Sequence, residues 1–471
     1  MDERNRDAVP PPPIEIYEPA RFHRRMNDRC FQKNIYFQPI PIYSRLPIFG
    51  KRARSALSYF TKINKMEFID KMNVYLLGAG ASKSYDVSKT SERLPLANDF
   101  FNTFNKLDIS ANGWVLIGDI INYVRENRNI PAFDFSSFSE DIENLHSEIQ
   151  DRYLYAIKKD HVEDIFRYGK AFTQLVFLFS SVINEIQNGP ESKFHKNLVL
   201  NLDDEDSIIT FNWDTLIDKS LRYNTSWSLK DGYFIAPKLV YQNGWVNGEN
   251  GNSKNLLLKL HGSSNWISSY IYYNFQTKKI DFHHGGEDNI FYAYESTDNP
   301  YSCYDGRYME GYEDFSMGYY PPNVPSKKYR NEIPDDHIGI VSIPRNGINP
   351  KGKSTSDGIE SMPVIIPPVK NKSYDFYGDL FPTLWKKAED ILVEAETIYV
   401  LGYSFPATDI PSTELFKNAF SRRNNIPNVV IVNPQPAEIV HKFKFEFGIP
   451  DEKLNVHSDY ITREYIVPKW V

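Results

Sequence analysis

The 471-residue sequence contains only two cysteines, Cys30 and Cys303. Two cysteines exclude a disulfide framework and a zinc site with four cysteine ligands. The apolar stretch at residues 175–183 is too short to span a bilayer and continues into charged residues. The start of the chain is charged and proline-rich and lacks an apolar signal core. The sequence therefore predicts a soluble cytoplasmic protein with no membrane contact.

The chain also has little net charge, −7 in all, but that charge is unevenly distributed. Residues 1–66 contain 13 Lys and Arg against 6 Asp and Glu, whereas residues 67–471 contain 41 against 55. A proline-rich basic N-terminal extension with a net charge of +7 thus precedes an acidic body with a net charge of −14. Such an arm can contact nucleic acid, dock on an acidic neighbour or remain a solvated tail.

Hydrophobic residues make up 41% of the chain, which is enough to bury a large core. Apolar runs typical of buried parallel strands occur at residues 73–77, 207–210, 256–260, 397–401 and 429–432. Helical spacing of apolar residues recurs between these runs. The pattern predicts an α/β fold with a doubly wound parallel, Rossmann-like sheet, and a helical insertion lobe at about residues 84–200. We assign residues 67–471 to this one domain.

A second insertion, at about residues 266–375, is expected to be irregular and is rich in tyrosine, with eight between Tyr292 and Tyr320. Long loops inside domains are usually functional or interaction surfaces, although packing by its own aromatic side chains would explain this one equally. The tyrosine-rich insertion and the apolar residues of the N-terminal arm together lead us to expect a homo-oligomer. His283 and His284 could ligate a metal, but no cysteine or carboxylate lies at a recognised spacing, which favours a solvated loop.

The first motif with chemical content, Gly78-Ala79-Gly80-Ala81-Ser82, follows a predicted strand. Glycines allow a backbone to approach a diphosphate, and the N–H groups that open a helix can then bind it, with Ser82 adding a hydroxyl. The motif does not complete the G-x-G-x-x-G fingerprint. An ordinary strand-to-helix turn is therefore the alternative interpretation.

The next two motifs place polar side chains where open parallel sheets bind ligands, beyond the carboxyl ends of strands. Asn212 could hold a ribose hydroxyl or orient a water, and Asp214 could accept from an amide or simply cap the helix that follows. His261 is a candidate general base because the ordinary pKa of histidine lies near neutrality. Further along, Gly402, Ser404 and Asn433 also follow strands and suit contacts with adenosine ribose and phosphate.

In this order the motifs GAGAS, TFNWD, LHG, LGYS and VN resemble the sirtuin fold over residues 72–436. The resemblance implies that NAD binds with its diphosphate at the glycine motif. It implies catalytic roles for Asn212 and His261 and a nicotinamide contact for Asp214. Ser404 and Asn433 match positions that contact the adenosine half of NAD.

Three departures from sirtuin deacylases count against acyl-lysine chemistry. Two cysteines cannot build the zinc module of that family, Phe211 stands where a glutamine precedes the catalytic asparagine, and residues 94–101 lack the Asp-Phe-Arg run. The stretches at residues 94–101 and 140–145, and Trp385 before the LGYS motif, are instead similar to sirtuin-like NAD-cleaving subunits of bacterial antiphage systems. Some members of that group carry a nucleotide-sensing domain after the catalytic one, for which residues 434–471 are too few. We therefore expect control by another subunit, as in members that are paired with a HerA-type hexameric ATPase.

The hypothesis is an NAD glycohydrolase that uses NAD as its substrate, needs no zinc and depletes NAD in antiphage defence. Asn212 and His261 are the catalytic candidates. The expected partners are further copies of the chain and a HerA-type ATPase. The alternatives are an NAD-dependent protein deacylase and a non-catalytic subunit that binds NAD or ADP-ribose. The cofactor contacts are predicted at Gly78, Ala79, Gly80, Ser82, Asp214, Gly402, Ser404 and Asn433.

Overall fold

The computed structural model describes residues 72–107, 117–128, 138, 140–187, 189–241, 245–248, 251–269, 271–274, 279–282, 291–294, 315–316, 338–340, 343–344, 359–367, 377–406 and 409–470. The basic arm at residues 1–66, both cysteines, His283 and His284, and most of the tyrosine-rich stretch lie outside these residues. The predicted limits of the domain and its insertions therefore stay predictions.

The described strands, in chain order, are β1 Asn73–Leu77, β2 Ser207–Thr210, β3 Leu239–Tyr241, β4 Trp245–Asn247, β5 Leu256–Lys259, β6 Gly262–Ser269, β7 Ile271–Asn274, β8 Lys279–Phe282, β9 Tyr292–Tyr294, β10 Phe315–Ser316, β11 Ile338–Ile340, β12 Ile343–Pro344, β13 Ile359–Ile365, β14 Thr397–Leu401, β15 Asn428–Val432 and β16 Leu454–His457. The described helices are α1 Ala79–Ser82, α2 Phe100–Asn105, α3 Gly118–Arg128, α4 Ile142–Lys159, α5 Val162–Gln187, α6 Lys193–Val199, α7 Leu216–Asn224, α8 Leu380–Glu394, α9 Ile410–Ser421 and α10 Ala437–His441. A π-helical turn, Lys442–Glu446, extends α10, and a 3₁₀ turn, Asp451–Lys453, precedes β16.

The central sheet confirms the predicted α/β fold. Its six strands lie in the order β16-β15-β14-β1-β2-β5, and every neighbouring pair is parallel. The middle strands are buried on both faces, which is why their sequences are continuous apolar runs rather than alternating ones. From β1 the chain builds β2 and β5 on one side, and it later adds β14, β15 and β16 on the other. The strand order therefore reverses between β1 and β14, the position where such sheets bind ligands.

Helices α2 to α5 form a second hydrophobic core beside the sheet, with Phe100, Leu145 and Leu175 fully buried in it. Apolar residues have helical spacing at residues 138–149 and 153–165, but the second stretch does not form a helix of its own: its last residues belong to α5, and its first residues continue α4. That helix ends at Asp160, which adopts a left-handed conformation (φ 56°), and α5 begins two residues later. The left-handed residue satisfies the last carbonyls of α4 and allows the chain to reverse.

A second sheet has the strand order β11-β13-β6-β9-β3-β4, and four of its strands, β6, β9, β11 and β13, lie wholly or partly in the predicted irregular insertion at residues 266–375. It combines parallel and antiparallel pairs, with β6 antiparallel to both β13 and β9. Described parts of residues 266–375 are thus strands rather than irregular loop. Their pairing joins segments about a hundred residues apart, such as Ser269 with Ser361. Short runs of this kind have no local period that would identify them.

Two histidines, His146 on α4 and His195 on α6, are buried with about 1% of their surface exposed. The ring nitrogens of His146 have no hydrogen-bond partner among the described residues, whereas Nδ1 of His195 lies 2.7 Å from Oγ of Ser192. Burial lowers the pKa of both imidazoles to about 3. Each ring is therefore neutral in the folded protein at physiological pH.

The buried histidines should make the fold acid-sensitive. An unfolded histidine titrates near ~6.5, so below that pH the unfolded chain binds protons that the folded chain does not. The stabilisation is complete above ~pH 6.5 and falls by ~1.4 kcal/mol per pH unit for each histidine as the pH decreases towards 3. We expect His146→Leu to reduce this slope, measured by urea unfolding between ~pH 6 and 5. His161→Leu, at an exposed position, is the control; an equal change in both variants would refute the assignment.

Candidate functional site

The loops that follow β1 and β14 pack directly on each other at the point where the strand order reverses. The N–H groups of Gly78 and Gly80 donate to the carbonyl oxygens of Leu401 and Gly402, each over 3.0 Å. A Cβ at Gly78 would lie 2.4 Å from the Cα of Tyr403, so no larger residue fits without a backbone shift. These two N–H groups are used within the protein. Diphosphate binding at the motif stays a prediction that rests on its other polar groups.

A cavity of about 1030 Å³ opens at this edge of the sheet. Seven of the ten predicted site residues line it: Asn212, His261, Ala79, Gly80, Gly402, Ser404 and Asn433. The other three, Gly78, Ser82 and Asp214, are buried and are not among the residues that line it. The structure therefore brings residues from five separate strand ends to one cavity.

The helical core supplies a second wall of the cavity. Ala97, Phe100, Ile142 and Phe179 line it together with Glu143 from the first turn of α4. The N–H of Ile142 donates to the carbonyl of Ala97 over 3.1 Å, which ties the stretch before α2 to the start of α4. Both segments were singled out in the sequence by their resemblance to NAD-cleaving proteins. They give the cavity an apolar side next to its polar edge.

Asn212 is held by hydrogen bonds at both its backbone and its side chain. Its N–H donates to Oγ1 of Thr210 over 3.0 Å, and its Nδ2 donates to Oγ of Ser82 over 2.8 Å. The Ser82 hydroxyl donates in turn to Oδ2 of Asp214 over 2.6 Å. The other carboxylate oxygen of Asp214 accepts the N–H of Leu216 over 3.1 Å, so this side chain does contact the first turn of α7.

The turn after Asn212 is fixed from behind by α5 and the second sheet. Oε1 of Gln187 accepts the N–H of Thr215 over 2.6 Å, and Nε2 of Gln187 donates to Oγ of Ser264 over 2.9 Å. The indole N–H of Trp213 donates to the carbonyl of Ile366 over 3.1 Å. Segments distant in sequence thus hold the turn that carries Asn212.

His261 lies at the joint between the two sheets. It follows β5, and its carbonyl accepts the N–H of Ile366 over 2.9 Å. Gly262 then turns the chain into β6 with φ +80°, and a Cβ there would lie 2.1 Å from the carbonyl oxygen of Val364. The imidazole is 4% exposed, and the rings of Phe211 and Trp385 have their centroids 5.0 and 6.2 Å from it. The site holds this imidazole in one orientation against an apolar ring cluster.

Asp409 is a site residue that the sequence analysis missed. Its Oδ1 lies 3.6 Å from Nε2 of His261, its Oδ2 accepts the hydroxyl of Tyr403 over 2.6 Å, and 2% of the residue is exposed. Asp409 also lines the cavity. The available signal was Pro411, which marks the start of α9 and so identifies Asp409 as the residue at its N-cap.

The far end of the cavity is formed by Ser404, by Asn433 and by the segment after β16. Asn433 is fixed by its own turn, since its Oδ1 accepts the N–H of Gln435 over 2.9 Å. Tyr460 and Arg463 line the same end, and Arg463 lies 3.9 Å from Asp86 across it. This last segment has no regular structure, and no sequence signal marked it as part of the site.

A buried ion pair lies beneath the turn that carries Asn212. Nζ of Lys259 is 3.0 Å from Oδ2 of Asp218, with 0% and 4% of the two side chains exposed. Lys259 also donates to the carbonyl of Asp214, and the phenol of Tyr233 donates to the other oxygen of Asp218. Burial and the Asp218 carboxylate raise the pKa of Tyr233 well above its ordinary value. The phenol is therefore protonated and serves as a donor.

No protein-family model matches the chain, and no curated protein sequence matches it. Within the part of the chain that the structure describes, no three His, Cys, Asp or Glu side chains cluster closely enough to hold a metal ion. In the same residues, no helix is long and apolar enough to cross a membrane. The absence of zinc stays an expectation, because both cysteines lie elsewhere in the chain.

Proposed function

We propose that the protein is an NAD glycohydrolase, which cleaves NAD to nicotinamide and ADP-ribose. The observation that carries the proposal is a single cavity that is lined at once by Asn212, by His261 and by Ser404 and Asn433. Its volume of about 1030 Å³ is at the upper end of ligand pockets, which usually measure ~300–1,000 Å³, and suits a dinucleotide. The cavity also lies where the strand order of an open sheet reverses.

In the proposed reaction, the bond between the nicotinamide nitrogen and C1′ of the ribose breaks first. Its electron pair leaves with nicotinamide, and the ribose develops oxocarbenium character. Water then attacks C1′ and gives up a proton to His261 as general base, which yields ADP-ribose. Asn212 holds the ribose hydroxyl or the attacking water. Positioning of this kind is a large part of what a rigid site contributes to the rate.

Asp409 is expected to support His261 in this reaction. A buried carboxylate beside the imidazole orients it and stabilises its protonated form. We expect Asp409→Asn to lower kcat about tenfold or more, a part of the ~10²–10⁴-fold that a general base contributes. Asp379→Asn is the matched control, because Asp379 occupies the same N-cap position of α8 and neither aspartate caps its helix through its side chain. Equal kcat values for the two variants would show that Asp409 does not support His261 in the reaction.

The resemblance also suggests how turnover is controlled. We propose that the chain acts as an oligomer with a HerA-type ATPase, and that NAD depletion serves antiphage defence. Nicotinamide release should then depend on the purified ATPase, added at increasing ratios to the protein. A rate that is unchanged at every ratio would contradict this partner.

A further inference from the structure

Three polar side chains at the edge of the site form one hydrogen-bonded chain, but only the first of them reaches the cavity. Asn212 donates to Ser82, and Ser82 donates to Asp214, over 2.8 and 2.6 Å. Asn212 lines the cavity, whereas Ser82 and Asp214 are 4% and 7% exposed and are not among its lining residues. The sequence analysis assigned Ser82 to phosphate and Asp214 to nicotinamide. Their positions suit a different role.

The donors and acceptors in this series of hydrogen bonds follow from the chemistry of its last member, Asp214. A carboxylate only accepts hydrogen bonds, so the single hydroxyl hydrogen of Ser82 must go to Asp214. The oxygen of Ser82 can then only accept, and Asn212 must present its Nδ2 to it. An asparagine amide is otherwise free to rotate by half a turn, because its oxygen and nitrogen are alike in size. Here the buried carboxylate decides which of them faces Ser82.

Asp214 is itself fixed at two further points. Its Oδ1 accepts the N–H of Leu216, and its carbonyl accepts from the buried Nζ of Lys259. The backbone of Asn212 is bonded to Oγ1 of Thr210. Asn212 is therefore held at its backbone N–H and at its side-chain Nδ2, so the orientation of its amide follows from the positions of Ser82 and Asp214.

We propose that Ser82 and Asp214 are positioning residues that orient the Asn212 amide so that its Oδ1 faces the cavity. This inference rests on the proposed function of the cavity. An outward Oδ1 accepts a hydrogen from a ribose hydroxyl or from the attacking water, which an outward NH₂ group cannot do. Ser82 and Asp214 thus act on NAD through Asn212 and do not touch it.

The two test variants are Ser82→Ala and Asp214→Asn. Ser82→Ala removes the acceptor of the Asn212 amide, and Asp214→Asn reverses the direction of the hydrogen bonds between the three side chains. In Asp214→Asn the N–H of Leu216 still requires an oxygen, so the new NH₂ group points at Ser82. Ser82 then accepts from it and donates to Oδ1 of Asn212, which turns the NH₂ of Asn212 towards the cavity. Ser84→Ala is the control: Ser84 is 3% exposed, lies two residues away and bonds the carbonyl of Ala81.

For each variant, nicotinamide release gives kcat and calorimetry with NAD gives Kd. We expect Ser82→Ala and Asp214→Asn to lower kcat by about 10²-fold, the usual effect of misplacing a reacting group. Neither should change Kd more than Ser84→Ala does. In the Asn212→Ala background, Ser82→Ala should change neither quantity further, because its effect passes through Asn212.

Two results would overturn the inference while leaving the proposed function intact. Ser82→Ala could weaken NAD binding in both backgrounds, which would make Ser82 a direct contact of the diphosphate. Alternatively, both test variants could match the kcat of Ser84→Ala. If the unsubstituted protein releases no nicotinamide, either alone or with a HerA-type ATPase, the proposed function itself is wrong, and the inference falls with it.

Discussion

Substitution of His261 by alanine is expected to reduce nicotinamide release from NAD by ~10²–10⁴-fold, the usual contribution of a general base. The imidazole is 4% exposed, lines the cavity and lies within 3.6 Å of the Asp409 carboxylate. Among the described residues that line the cavity, His261 is the one histidine. Asn212→Ala should have an effect of similar size, because it removes the group that holds the ribose or the water.

The loss of activity must be separated from a loss of fold. His261→Gln keeps much of the side-chain volume and a polar end, yet it cannot take up a proton near neutral pH, so it should be as inactive as the alanine variant. His457→Ala is a matched control, because His457 also ends a strand of the central sheet but is not among the residues that line the cavity. Normal turnover in His261→Ala protein would exclude the mechanism.

Lys259→Met is expected to have the largest effect on stability, a loss of ~3–5 kcal/mol in the free energy of unfolding. The substitution leaves the Asp218 carboxylate buried at 4% exposure without its cation, and it also removes the donor to the carbonyl of Asp214. The turn that carries Asn212 loses one of its anchors at the same time. The thermal midpoint and the urea midpoint should both fall.

Lys254→Met is the matched control for this substitution. Its ion pair with Asp204 is exposed, at 59% and 68% of the two side chains, and such pairs contribute only ~0–1 kcal/mol. A double variant, Lys259→Met with Asp218→Leu, should regain part of the loss because no buried charge is left unpaired. Equal unfolding free energies for Lys259→Met and Lys254→Met would show that the buried pair contributes nothing special.

The parts of the fold that the sequence predicted are those with a local signal. The strand predicted at Thr397–Leu401 has those bounds, and the predicted strand at residues 256–260 ends one residue earlier, at Lys259. Both are buried apolar runs that need no knowledge of their neighbours. Asn212 and His261 were expected at the same edge of the central sheet because parallel strands bring their carboxyl ends together.

The parts that the sequence did not predict depend on contacts between distant segments. Asp409 reaches His261 from a segment almost 150 residues later in the chain, and nothing around Asp409 indicates that approach. The glycine motif that ends at Ser82 predicts a phosphate ligand there, but it gives no sign that the Ser82 hydroxyl bonds Asp214, 132 residues away. Hydrogen bonds of this kind are set by the packed fold and have no period or motif in the sequence.

The most direct test of the central claim is incubation of the purified full-length protein with NAD, with and without a purified HerA-type ATPase, followed by quantification of nicotinamide and ADP-ribose. The account predicts both products in equal amounts without any peptide, and their loss in Asn212→Ala and His261→Ala. Release that requires an acetyl-lysine peptide would instead identify a deacylase. Tight NAD binding without any release, alone or with a HerA-type ATPase, would identify a binding subunit and contradict the account.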